Sequence, residues 1–142
     1  MQYADHAWRW LNGTPPIPAL YAATEGPRIV RRAGIERVRE KSVRQTSKLI
    51  ELADARGYKV TAPRDSARRG GTVAFNVPHS YGVAQALLAN NVIVDYRLNA
   101  GIRIAPHFYT SDEELTRAVE MIDDILRDGS WKPFEDKRGT VT

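Results

Sequence analysis

Cysteine is absent from this chain of 142 residues, which excludes disulfides and thiolate metal sites and fits a reducing compartment. Histidine is scarce too. His6, His79 and His107 lie far apart without the spacing of a metal-binding pair, so no metal site is expected. No apolar run approaches the ~20 residues of a membrane span. The N-terminus lacks the basic-then-apolar pattern of a secretory leader. A cytoplasmic protein without a membrane partner is the expectation. The glycines form neither a dinucleotide fingerprint nor a phosphate P-loop.

Charge of both signs is present. The net charge is +4 and the sequence pI about 9.6. Arg28, Arg31, Arg32, Arg37, Arg39, Lys41, Arg44 and Lys48 concentrate the positive charge, but Glu36 and Glu40 interrupt it. Such interleaving describes a solvated helix face better than a stripe that tracks phosphates, so no nucleic-acid partner is expected. With 42% hydrophobic residues the chain can bury one domain core.

Along the chain, residues 1–27 combine Tyr3, Trp8 and Trp10 with the proline-rich turn Asn12-Gly13-Thr14-Pro15-Pro16-Ile17-Pro18. Proline lacks the amide a helix needs and clashes with the preceding turn, so this stretch is expected to be extended and to pack on something else. Residues 28–56 carry helical periodicity: Ile35, Val38, Ser42, Thr46, Leu49 and Ala53 share one stripe. Gly34 kinks or breaks that run and Gly57 ends it. Strands are expected at 58–61, 72–78 and 91–97 and again from Gly101, with a short helix at 81–90. Arg69-Gly70-Gly71 reads as a turn. Ser111-Asp112-Glu113-Glu114 has capping-box form, ahead of an amphipathic helix ending near Gly129. Residues 130–142 read as a polar, frayed tail. The small domain is therefore 28–129. Its order predicts an α+β fold in two layers, a mainly antiparallel sheet of about four strands covered by helices.

Candidate chemistry centres on Gly101-Ile102-Arg103-Ile104. If Ile102 and Ile104 enter the core, Arg103 must face the other way, where its planar fork could clamp a carboxylate. The blander alternative pairs Arg97 and Arg103 with Asp95 or Glu113. His107 either packs at a strand end or acts as an acid or base, although no neighbour obviously orients it. Asn12-Gly13-Thr14 is either a turn or a backbone able to approach a phosphate.

Taken together, Arg9-Trp10-Leu11-Asn12-Gly13-Thr14-Pro15-Pro16-Ile17, Lys41-Ser42, Arg69-Gly70-Gly71, Asp95-Tyr96-Arg97 and Gly101 to Tyr109 resemble the kynureninases. These belong to the class V, fold-type I branch of pyridoxal-phosphate (PLP) enzymes. The motifs run in order up to about Leu126, and several separated motifs agree. What they resemble is only the C-terminal small domain of such an enzyme. The large domain, with most of the cofactor site and the Schiff-base lysine, has no counterpart here. None of the lysines at 41, 48, 59, 132 and 137 suits that role.

The resemblance implies roles. Arg103 would bind the α-carboxylate of an amino-acid substrate, and Asn12 would approach the substrate's aromatic end. Thr14 would reach the PLP phosphate of a neighbouring subunit in a homodimer. Residues 1–27 would lie against the large domain or the dimer interface. No catalytic residue is assigned to this chain. The implied reaction, part of tryptophan degradation, cleaves the Cβ–Cγ bond of kynurenine or 3-hydroxykynurenine by hydrolysis. With kynurenine it yields anthranilate and alanine. The chain alone is expected neither to bind PLP nor to turn over. The alternative is a stand-alone domain for a carboxylate ligand or a protein partner. The sequence departs from the family at Leu98-Asn99, where proline is common, and at Thr110, where asparagine often follows Phe-Tyr.

Overall fold

The computed structural model describes residues 3–10 and 13–135. Two compact units are distinguished, 1–38 and 39–142.

In the first unit the expected extended segment is partly helical. Residues Ala7–Trp10 form a 3-10 turn, and helices α1 (Ile17–Ala22) and α2 (Glu25–Ala33) follow. Pro18 does not prevent α1 because it sits in the first turn, where the amides have no intrahelical acceptor. Gly34, at φ +86°, separates α2 from α3 (Ile35–Asp54), so the expected interruption is a true break. Neither α1 nor α2 contains a buried residue, and Trp10, Ile17, Leu20, Tyr21 and Ile29 are exposed.

The second unit is an α+β fold, as expected. After α3 come β1 (Lys59–Val60), β2 (Val73–Asn76), α4 (Ser80–Ala89), β3 (Asp95–Arg97), β4 (Gly101–Ile104), α5 (Asp112–Asp128) and α6 (Lys132–Glu135). The four strands run in the order β1-β2-β4-β3, every neighbouring pair antiparallel. Alternation places Val73, Phe75, Ile102 and Ile104 on the buried face, where they share one core with Leu49, Leu87, Val119 and Ile122 from the helices. Burying a side chain of this size stabilises the fold by about 1.5–3 kcal/mol.

Capping and turn chemistry set the boundaries. The Ser111 hydroxyl accepts from the Glu114 amide while the Glu114 carboxylate accepts from the Ser111 amide, a complete capping box. Gly129, at φ +75°, ends α5. Strand β3 is shorter than the expected 91–97. Continuing the β3–β4 register from the Asp95–Arg103 pair would set Val92 opposite Pro106, which has no amide to donate.

The carboxy-terminal stretch expected as a frayed tail is partly helical. Residues 132–135 form α6, and Trp131 and Phe134 pack against the core. The Trp131 ring lies parallel to the His79 imidazole, with centroids 3.4 Å apart. Gly82 makes this docking possible, because a Cβ there would lie 2.7 Å from Glu135 Oε2 and 2.8 Å from the Trp131 carbonyl oxygen. The rest of the expected tail, 136–142, lies outside the described residues.

Candidate functional site

Arg103 sits on β4 between two strands, opposite Ala74 of β2 on one side and Asp95 of β3 on the other. Its flanking isoleucines are buried, so its side chain projects from the opposite face of the sheet and is 37% exposed. Gly101 lets this strand close on its neighbour. Its φ is +92°, and a Cβ there would lie 2.3 Å from the Phe75 carbonyl oxygen.

The guanidinium is held by Asp95. Arg103 Nε donates to Asp95 Oδ1 at 2.6 Å, and Arg103 Nη2 donates to Asp95 Oδ2. Arg97 adds a second cation, its Nη2 standing 3.6 Å from Asp95 Oδ2. The hydrogen bonds from Arg103 hold the Asp95 carboxyl below the ordinary carboxylate range, and the same bonds raise the Arg103 guanidinium above its usual value. Arg103 thus makes the Asp95 pairing weighed from sequence, whereas Glu113 sits at the start of α5. A hollow of about 340 Å³ beside the pair is lined by Thr72, Ile93, Val94, Asp95, Arg103 and Ala105. Ile93 is 91% exposed at its rim. A larger and mainly apolar cleft of about 580 Å³ shares Ile93, Val94 and Ala105 and reaches α5 at Leu115 and Ala118.

The loop after β4 is fastened to α3. Lys41 Nζ donates to the Phe108 carbonyl at 2.9 Å, and Gln45 Nε2 donates to the Thr110 carbonyl at 2.8 Å and to Asp112 Oδ1 at 3.0 Å. The Thr110 hydroxyl, where the family often has asparagine, accepts from the His107 amide at 3.0 Å. The His107 ring packs against Phe108 and Tyr109, with centroids 4.4 and 4.2 Å away. Among the described residues no carboxylate hydrogen-bonds this ring, so the packing reading has the contacts and the acid–base reading has none.

Arg69, expected in a simple turn, is buried. Its guanidinium donates to the Pro63 and Arg64 carbonyls and to Ser47 Oγ, while Arg39 Nη2 donates to the Arg69 carbonyl. The Arg-Gly-Gly stretch therefore pins its loop to α3 by a side chain.

The other expected site residues lie in the first unit or outside the described residues. Thr14 is exposed on a bend of the first unit, whereas Arg103 belongs to the second. Asn12 lies outside the described residues. Thr72 and Gln45 were not singled out from sequence. Gln45 carried a signal, a polar side chain beside the apolar stripe of α3, but Thr72 becomes a site neighbour only through the pairing of β2 with β4.

The described lysines do not suit a covalently held aldehyde cofactor. The ammonium groups of Lys41 and Lys48 donate to the carbonyls of Phe108 and Asp112, and Lys59 and Lys132 are exposed. None lines the hollow beside Arg103 or the larger apolar cleft. Among the described residues no cluster of three or more His, Asp or Glu is placed to hold a metal, and no helix is long and apolar enough to cross a membrane.

This architecture is that of a small α+β domain also present in a larger enzyme. Cysteine desulfurase from Thermococcus onnurineus NA1 superposes with a TM-score of 0.77 over 89% of this chain and 35% of its own, at 23% identity. A NifS-like protein superposes with a TM-score of 0.70 over 90% of this chain and 39% of its own, at 19% identity. Sequence narrows the class. Residues 38–122 match the kynureninase C-terminal domain, and the chain belongs to that PLP-dependent family. Kynureninase of Bacillus thuringiensis subsp. konkukian (strain 97-27) is 35% identical over 97% of this chain and 33% of its own length. That of Geobacillus thermodenitrificans (strain NG80-2) is 32% identical over 91% of this chain and 31% of its own. The chain thus spans about a third of the curated relatives it matches.

Proposed function

We propose that this chain supplies the carboxylate-binding half of a kynureninase active site. The reaction is hydrolytic cleavage of the Cβ–Cγ bond of kynurenine or 3-hydroxykynurenine, in a homodimer. The large domain, which the family's longer members carry, would hold the PLP and its lysine. The observation that carries this reading is Arg103, half exposed on the open face of the sheet beside a hollow, in a chain of the kynureninase C-terminal family.

The described lysines do not fit the cofactor, so no chemical step is assigned to this chain. Its own task is to bind and orient. Arg103 takes the α-carboxylate of the substrate through two charge-assisted hydrogen bonds. Asn12 contacts the aromatic end of the substrate, and Thr14 reaches the cofactor phosphate of the neighbouring subunit. Residues 1–27 lie against the large domain or the second subunit, a reading supported by the exposure of Trp10, Ile17, Leu20 and Tyr21.

The test is titration of the chain with L-alanine and with L-alaninamide, followed by NMR. A half-site built around one arginine binds the carboxylate with a dissociation constant of about 1 mM or weaker, and the amide not at all. Arg103→Lys abolishes the response. Micromolar binding selective for one side chain would instead favour the stand-alone ligand domain.

A further inference from the structure

We infer that Asp95 is the positioning residue of the carboxylate site, gripping one edge of the Arg103 guanidinium so that its other edge is presented to the ligand. This inference rests on the carboxylate reading of Arg103 given above.

A guanidinium has a side-on edge, made by Nε and one terminal nitrogen, and an end-on edge made by Nη1 and Nη2. Asp95 occupies the side-on edge, Oδ1 taking the Nε proton at 2.6 Å and Oδ2 taking one from Nη2. Two of the five N–H donors are thereby committed. No described residue accepts from Nη1, so the end-on fork is uncommitted.

The backbone makes this grip rigid. Asp95 and Arg103 are directly opposed in the β3–β4 ladder, so the carboxylate is delivered by a hydrogen-bonded strand. On the other flank the facing residue is Ala74, whose methyl group offers the guanidinium no competing acceptor. A long, flexible side chain is thus fixed before ligand arrives, and fewer rotamers must be frozen on binding.

Charge fits the same arrangement. Asp95 alone would cancel the charge of Arg103 and leave little attraction for an anion. Arg97, 3.6 Å from Asp95, brings the trio to a net single positive charge, the complement of one carboxylate. Asp95 stays ionised throughout the neutral range because Arg103 holds its carboxyl low. A carboxylate that competed with substrate would have to sit on the end-on edge, and Asp95 does not.

The experiment reads grip and binding separately. The Arg103 Nε–H resonance, identified by its loss in Arg103→Lys, reports the grip without ligand. L-alanine titration reports binding. In Asp95→Asn the resonance moves to the position of free arginines, and the concentration of L-alanine at half-saturation rises about tenfold, the loss of one charge-assisted bond's worth of orientation. Asp95→Glu, which keeps a carboxylate, recovers part of both. A moved resonance with unchanged affinity would make Asp95 a merely structural partner. Tighter binding in Asp95→Asn would make it a competitor. Either result overturns the inference. A parent chain that shows the Nε–H grip but no Arg103-dependent response to L-alanine refutes the carboxylate reading itself, and the positioning role falls with it.

Discussion

Replacing Gly101 by alanine should damage the strand that carries Arg103 far more than any other glycine substitution in the loops around the sheet. A Cβ at this position would lie 2.3 Å from the Phe75 carbonyl oxygen, 2.6 Å from Asn76 Oδ1 and 2.7 Å from the Phe75 carbonyl carbon. Two of these contacts are to the β2 backbone, which cannot rotate away as a side chain would. The backbone itself is at φ +92°, which costs an L-residue roughly 1–2 kcal/mol, and the overlap adds about 1–3 kcal/mol. The expected loss is roughly 2–5 kcal/mol, or a melting temperature lower by about 8–20 °C. Circular dichroism melts of the parent, Gly101→Ala and Gly70→Ala measure it. At Gly70 a Cβ meets nothing within 4 Å and the φ is ordinary, so its variant should lie within about 0.5 kcal/mol of the parent. A Gly101→Ala chain that melted with Gly70→Ala would refute the close approach of β4 to β2.

Ser111→Ala removes one half of the capping box and should cost about 1 kcal/mol, read as a lower urea midpoint at unchanged slope. Gly82→Ala should expel α6 from α4, and fluorescence of Trp131 in a chain lacking the other two tryptophans should shift to longer wavelength. A hydrogen bond to each carboxylate is the main reason that Asp54, Asp95, Asp112, Glu113 and Asp128 titrate below their ordinary values, 3.8 for the aspartates and 4.5 for the glutamate. Their contribution is therefore complete above those values and fades as pH falls beneath them; because these groups are exposed or half-buried, the urea midpoint should hold down to pH ~5 and decline only modestly below pH ~4. Tyr58 moves the other way. Burial, then its hydrogen bond to Asp123, pushes its phenol up. It should ionise last in an ultraviolet titration of the six tyrosines, and the late step should vanish in Tyr58→Phe.

How much of this was legible follows from where each signal lies. The alternation of Ile102 and Ile104 around Arg103 is enough by itself to turn the arginine outward, because period-2 burial admits no other direction. The serine and glutamate three apart at the head of α5 define its first turn in the same local way. Strand β3 is shorter than its sequence suggests, since Val92, Ile93 and Val94 look like strand residues and only the pairing with β4 reveals that Pro106 would stand opposite Val92. Helix α6 was hidden by its polar neighbours, Ser130, Lys132 and Glu135, although Trp131 and Phe134 supply the apolar contacts that dock it. The proline-rich beginning concealed α1 because proline opposes the helix interior but not the first turn. For the site, sequence offered both Asp95 and Glu113 to Arg103, and ladder register settled it on Asp95. Thr72 was invisible for the same reason, being a neighbour only across strands.

The proposed division of labour gives this chain the carboxylate-binding arginine of a kynureninase, with no lysine among the described residues fit to hold the cofactor. Its most direct test is the absorbance spectrum of the purified chain with one equivalent of PLP, before and after borohydride, followed by mapping of any modified lysine and an assay with kynurenine. The account predicts no stoichiometric reducible adduct at a single lysine and no anthranilate formed. A reducible band assigned to one lysine, together with kynurenine turnover, would contradict it.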